Sequence, residues 1–344
     1  MKAAFLPGAS QVVLQDVPKP APGYGQVLLA MKASTICGSD LRAIYREHLG
    51  EGPEAYQDVV AGHEPAGQVV ELGPGVRERQ VGDRVAVYHI SGCGICDDCR
   101  MGYQISCTSG QYRRAYGWQR DGGHEDFLVA DERDLVPLPD SLTYLDGACA
   151  ACGFGTAYEA LCRLDVSGRD RLLITGLGPV GLAAGLLAKR MGVRQIIGTD
   201  PVASRRDLAV SLGAVDHASG GTQAELTALL GDGADAAIDC SGNGTAQAAA
   251  IHRTRRWGRV ALVGEGGIVN GIDVSAEIIH KQLVIHGSWV TSTQRMAELL
   301  QRCAAWGLHP EVVVTDRFPL DQAAVAYQTA DAGLAGKVGI VWAG

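Results

Sequence analysis

Arg171-Leu172-Leu173-Ile174-Thr175-Gly176-Leu177-Gly178-Pro179-Val180-Gly181 is the stretch that decides the fold of this 344-residue chain. The run to Thr175 is apolar and of buried-strand type, and a G-x-G-x-x-G spacing follows it at once. Gly176 permits a tight turn, Gly178 lets the backbone approach a pyrophosphate, and Gly181 lets the next helix pack closely on the strand. Pro179 suits a first helical turn, where its missing N–H is not needed, and the backbone of Pro179 and Val180 then lies at the phosphates. Residues 182–191 are rich in Ala and Leu and stop at Gly192, which predicts a helix. A second strand over 193–199 delivers Asp200, 19 residues after Gly181, to its C-terminal end. There a carboxylate can accept hydrogen bonds from adenosine ribose hydroxyls. A lone glycine pattern would be only a tight turn, but strand, turn, helix, strand and acid together point to a dinucleotide site. The acid repels a 2′-phosphate, so NAD is expected over NADP. Arg205 and Arg206 follow closely, either as solvated helix surface or as partners for a phosphate.

Beyond Asp200 the pattern keeps alternating. Helices are expected over 204–212 and 223–230, and strands at 216–217, 236–239, 259–263 and 283–287. Such alternation means an α/β, doubly wound parallel sheet of Rossmann type over 156–290, with ligand at the C-terminal strand ends. Ser241, Gly242, Val263 and Gly264 fall at those ends and should border the coenzyme. From about residue 291 a helix to 306, a strand at 312–315, a helix over 320–332 and a strand at 337–342 are expected.

Apolar residues make up 47% of the chain and charged residues 20%, an ordinary globular composition. A net charge of −8 offers no basic face for nucleic acid or anionic lipid, so neither partner is expected. Met1 to Phe5 runs straight into Pro7-Gly8 with no apolar stretch of signal-peptide length, and Lys189 and Arg190 interrupt the most apolar helix. A cytoplasmic protein is expected. Its ten cysteines then point to metal ligands and buried thiols rather than disulfides; Cys162, Cys240 and Cys303 read as small buried apolar residues.

In the first third, alternating apolar residues over 12–17, 27–33, 66–72 and 84–89, separated by Pro/Gly turns, predict a barrel-like β domain. Within it Cys93, Cys96, Cys99 and Cys107 give C-x2-C-x2-C-x7-C. Four thiolates this close surround one ion and leave no room for substrate, the pattern of a structural zinc; an iron–sulfur cluster is the competitor, though its expected spacings differ. A second set is dispersed over Cys37-Gly38-Ser39-Asp40, Gly62-His63-Glu64 and Ala151-Cys152-Gly153. Two thiolates and an imidazole leave zinc an open fourth position, the condition for Lewis-acid chemistry. Asp40 is placed to hold the His63 ring, and Ser39 to relay a proton. Alone, His63 would read as a satisfied core histidine; the combination gives it a role.

Taken together, these motifs resemble the zinc-containing medium-chain alcohol and polyol dehydrogenases, nearly end to end. The resemblance implies a GroES-like catalytic domain made of 1–155 and 291–344, carrying a zinc lobe at 92–108 and interrupted by a Rossmann coenzyme domain at 156–290, with substrate between the two. It implies catalytic zinc on Cys37, His63 and Cys152, with Glu64 as an acid that coordinates transiently. Cys149 is close enough to compete for the third place, where sorbitol-type members carry a glutamate and this chain has Ala151 or Cys152. Many members carry a proton-relay histidine where this chain has Arg42, and a guanidinium cannot act as that base; Arg42 then binds an anionic group or sits in a surface ion pair. His89 takes a pocket position, which suggests a substrate with further hydroxyls or charge, or else only satisfies a backbone group. Tyr112, Arg113, Arg114 and Trp118 are further cleft candidates. The implied activity is zinc- and NAD-dependent oxidation of a secondary alcohol, such as a polyol, sugar or cyclitol, with two zinc ions per chain. A primary alcohol dehydrogenase and a silent NAD(H)-binding protein are the alternatives. A homodimer or homotetramer is expected, with 283–287 as a sheet edge able to pair.

Overall fold

The computed structural model describes residues 1–110, 113–334 and 336–343, with the side chain of Pro53 excepted. The chain divides into two compact units: Met1–Gly155 with Thr291–Gly344, and Thr156–Val290.

The first unit is built on a seven-stranded sheet around Gln26–Ile36, the longest strand. That strand pairs antiparallel with Glu64–Leu72, Phe127–Asp131 and Lys337–Val341. Val314–Phe318 then adds parallel to Lys337–Val341. Alternation along these strands sends Val27, Leu29, Met31, Val69, Val85 and Leu128 into one apolar core, each such side chain contributing about 1.5–3 kcal/mol on full burial. A short ribbon, Ile90–Ser91 against Arg114–Ala115, carries the cysteine lobe. The barrel-like β class expected from the sequence is what forms here.

The second unit is a six-stranded, wholly parallel sheet. Its order is His217–Ser219, Gln195–Thr199, Arg171–Thr175, Ala234–Asp239, Thr254–Leu262, Val284–Gly287. The reversal of strand order beside Arg171–Thr175 is the switch point where doubly wound sheets open their ligand crevice. Leu173, Ile197, Ala237 and Val260 are buried among helix residues Leu226, Leu230 and Ile251. The Rossmann class expected from the sequence is what forms.

One local expectation is corrected, and one helix was not foreseen. The strand at 312–315 is in part a tight helical turn, Pro310–Val313, with the strand beginning only at Val314; Pro310 fixes φ and opens the turn. A helix over Gly244–His252 follows the turn at Cys240, capped by Asn243 through the backbone N–H groups of Thr245 and Ala246. Its Ala-rich sequence shows no amphipathic period, so the pattern that marks a helix is missing.

Candidate active site

Cys37 lies where the strand Gln26–Ile36 ends, and it caps the short turn Gly38–Asp40. Asp40 folds back to accept the Cys37 backbone N–H (3.0 Å) on one oxygen and the His63 ring Nδ1 (2.6 Å) on the other. One buried carboxylate therefore orients two candidate ligands, and in the neutral ring it leaves Nε2 of His63 as the lone-pair nitrogen. Cys152 arrives from another part of the chain, in a π-helical turn over Ala150–Phe154 that continues the helix Tyr144–Cys149. Such turns are rare and recur at functional sites. Asp146 anchors that helix: it closes a capping box with Thr143 and accepts the Glu311 backbone N–H.

Potential ligand atoms of Cys37, His63, Glu64 and Cys152 all lie within 4.8 Å of one another. The two sulfurs are 3.9 Å apart, the spacing expected of two thiolates on one tetrahedral zinc with bonds of about 2.3 Å. Their shared hydrogen bond splits the pair, holding Cys37 well below the ordinary thiol range and Cys152 well above it. Cys149 is not in this cluster; it is fully buried, and burial pushes its thiol up. For His63, burial favours the neutral ring, but the charge and hydrogen bond of Asp40 outweigh it and raise the pKa. Glu64 is fully buried, and burial lifts its carboxyl to about 7 against the pull of Lys337. The Lys337 Nζ lies 2.7 and 2.6 Å from its two oxygens, and the Thr35 hydroxyl donates to it as well.

In the lobe Cys93, Cys96, Cys99 and Cys107 likewise converge within 4.8 Å, with Cys93 to Cys99 and Cys96 to Cys107 each 3.9 Å apart. Backbone N–H groups near Cys99 and Thr108 draw the Cys96 thiol down to about 6, toward the thiolate a metal needs.

In the parallel sheet Gly176 turns with φ +90°, a conformation open to glycine. A Cβ on Gly181 would come 1.9 Å from the Gly176 carbonyl oxygen, so the helix Pro179–Arg190 packs as closely as the motif requires. Gly178 caps that helix, and nothing lies within 4 Å of where its Cβ would stand. Asp200 is buried; its carboxylate accepts the Leu177 N–H (2.9 Å) and the Val202 N–H (2.9 Å), with Arg205 at 3.7 Å. Arg206 donates to the Asp200 and Pro201 carbonyls. Ser241 and Gly242 bond to Asp239, and the N–H groups of Val263 and Gly264 bond to its carbonyl.

Residues 23–140 match the alcohol dehydrogenase GroES-like domain, and residues 179–319 match the zinc-binding dehydrogenase domain. The chain is 48% identical over 98% of its length, and 98% of the relative's, to the uncharacterized zinc-type alcohol dehydrogenase-like protein YphC of Escherichia coli K12. It belongs to the zinc-containing medium-chain dehydrogenase/reductase family. The dehydrogenase is also 32% identical, over 96% of each chain, to an L-threonine 3-dehydrogenase of Idiomarina loihiensis. Among solved structures, the alcohol dehydrogenase RspB of E. coli CFT073, complexed with NADH, covers 99% of each chain with a TM-score of 0.88 and 25% identity. The dehydrogenase is thus an alcohol oxidoreductase that uses zinc and a nicotinamide coenzyme.

Its remaining candidate residues fall in different places. His89 is buried; its Nδ1 lies 2.8 Å from the Ala151 carbonyl oxygen and its ring centroid 5.1 Å from that of His63. Burial, reinforced by the charge of His63, pushes its pKa down to about 3. Ser39 is half-buried beside Asp40, and Arg42 is exposed on the π-helical turn Leu41–Tyr45. Arg113 is engaged with the Ile105 carbonyl and Glu54, Arg114 lies exposed in the ribbon, and Trp118 packs on the apolar core. Tyr112 lies outside the described residues. Among the described residues, no helix is long and apolar enough to cross a membrane.

Lys337 is the participant that motif reasoning missed. Its signal was a lone cation opening an otherwise apolar strand, since a buried lysine demands a counter-charge.

Proposed function

We propose that this dehydrogenase oxidises a secondary alcohol carrying further hydroxyl or charged groups, such as a polyol, sugar or cyclitol, to the ketone with NAD. The state of His89 carries this reading. A carbonyl only accepts, so Nδ1 holds the proton and donates to Ala151, and the neutral ring keeps a lone pair on Nε2. An Nε2 beside His63 that can only accept suits an additional O–H or N–H of the substrate. The relative named for dehydrogenation at position 3 of L-threonine acts on a secondary hydroxyl in a polar molecule, which supports the same class. Asp200 at the end of Gln195–Thr199 supports NAD.

The donor sets fit two zinc ions per chain, Cys93, Cys96, Cys99 and Cys107 holding a structural one, and Cys37, His63 and Cys152 a catalytic one. Zinc at the second set supplies Lewis-acid polarisation of the alcohol, and NAD supplies the hydride acceptor. Asp40 fixes the His63 tautomer, Ser39 relays the hydroxyl proton onward toward solvent, and Glu64, balanced by Lys337, stands as an acid beside the three donors. Arg42, a permanent cation, offers charge rather than base catalysis. Val284–Gly287 ends the parallel sheet as an edge strand and supports association through a second copy into a dimer or tetramer.

The test is a panel of polyols, sugars and cyclitols against simple primary alcohols, followed by NADH formation, each with NAD and NADP. Preference for primary alcohols, or equal use of NADP, overturns the reading; so does retention of turnover by metal-depleted enzyme.

A further inference from the structure

Asp239 has no part in that chemistry and cannot touch a ligand, being fully buried at the end of the strand Ala234–Asp239. It is nevertheless the point where three coenzyme turns meet. One carboxylate oxygen accepts the hydroxyl of Thr175 (2.8 Å), the residue just before Gly176. The same oxygen accepts the hydroxyl (2.6 Å) and N–H (3.3 Å) of Ser241, while the other accepts the Gly242 N–H (3.1 Å). Its backbone carbonyl accepts the N–H groups of Val263 (3.0 Å) and Gly264 (3.1 Å) on the far side. The ends of three adjacent parallel strands are thereby joined through one residue.

Two of these partners, the N–H groups of Ser241 and Gly242, can only donate, and each takes a different carboxylate oxygen, so both oxygens must act as acceptors. The Ser241 hydroxyl proton is committed to Asp239, and its oxygen accepts the Asn243 N–H (3.1 Å). The turns also stand tightly packed, since a Cβ on Gly176 would lie 2.8 Å from Ser241. A shift of the Ser241 turn therefore moves the floor beneath Gly176.

We infer that Asp239 is a positioning residue for the coenzyme, locking the turns at Gly176, Ser241 and Val263 in their binding register before NAD arrives. This rests on the reading that the coenzyme occupies those strand ends.

The test is Asp239→Asn in the zinc-loaded enzyme, with Thr175→Val as a milder change that removes one donor. An amide must aim its NH2 at another donor, so the Ser241 turn loosens. NADH affinity, read by fluorescence titration, should fall about tenfold or more in Asp239→Asn and about two- to fivefold in Thr175→Val. At saturating coenzyme, kcat and the KM for alcohol should stay within about twofold, with zinc content unchanged. Unchanged NADH affinity in a folded variant overturns the proposal, as does an equal loss in alcohol KM and zinc, which would mean general damage. Should Asp239→Asn fail to fold, unchanged affinity in Thr175→Val overturns it, and a selective loss there supports it. Wild-type protein that binds neither NADH nor NADPH would instead refute the coenzyme reading itself.

Discussion

Lys337 and Glu64, far apart in the chain, form a fully desolvated ion pair in which Nζ stands 2.7 and 2.6 Å from the two carboxylate oxygens. Removing one partner leaves the other buried without its counterpart. Lys337→Met should cost about 3–5 kcal/mol in denaturant unfolding, and adding Glu64→Gln should recover most of it. A single variant within about 0.5 kcal/mol of wild type would show the pair to be energetically idle.

Asp40 accepts from both Cys37 and His63, and an amide there can satisfy only one of them. Asp40→Asn should weaken the zinc at this site about 10- to 100-fold. Chelator competition on the purified protein checks this, with the lobe metal as internal control. Equal loss from both sites would contradict the assignment.

Cys96→Ser should remove the lobe metal alone, lowering zinc to about one ion per chain. Elemental analysis after dialysis reads this directly. Retention of about two would place the ion elsewhere.

Glu125 is 2% exposed, and burial, then the charges of Asp121 and Asp126, push its carboxyl up to about 9. Its folded pKa is above the unfolded value, so the folded state holds a proton that the unfolded chain releases. Stability contributed this way is complete below about pH 4.5 and declines as pH rises toward about 9. Glu125→Gln should therefore gain stability over wild type with rising pH, by about 1–3 kcal/mol at pH 8. Unfolding midpoints across that range decide it; a pH-independent difference would refute the burial argument.

Val284, 49% exposed on the terminal strand of the parallel sheet, should resist self-association when charged. Val284→Lys should lower the mass seen by light scattering toward that of one chain. An unchanged mass would place the contact on another surface.

Much of this was legible because it is local. Gly176, Gly178, Gly181 and Asp200 sit within one strand-turn-helix-strand unit, and the four lobe cysteines within one short loop. Cys37, His63 and Cys152 are grouped in the sequence by their donor chemistry and by the family pattern, since nothing in their spacing shows that they converge. Lys337 was not legible as a partner of Glu64, nor Asp239 as a hub, because Glu64, Thr175 and Val263 come from other strands and are brought alongside by sheet register. The helix Gly244–His252 escaped for the opposite reason, being alanine-rich on every side.

The strand Lys337–Val341 lies inside the seven-stranded sheet, between Val314–Phe318 and Gln26–Ile36. Without that strand, Phe127–Asp131 covers this edge of Gln26–Ile36 only over Gln26–Ala30 and leaves Ala33–Ile36 open, whereas every strand of the parallel sheet precedes it in the chain and can pair first. One short strand therefore both closes that open stretch and delivers the cation that neutralises Glu64, so the sheet of this unit and its buried charge pair are completed in the same step.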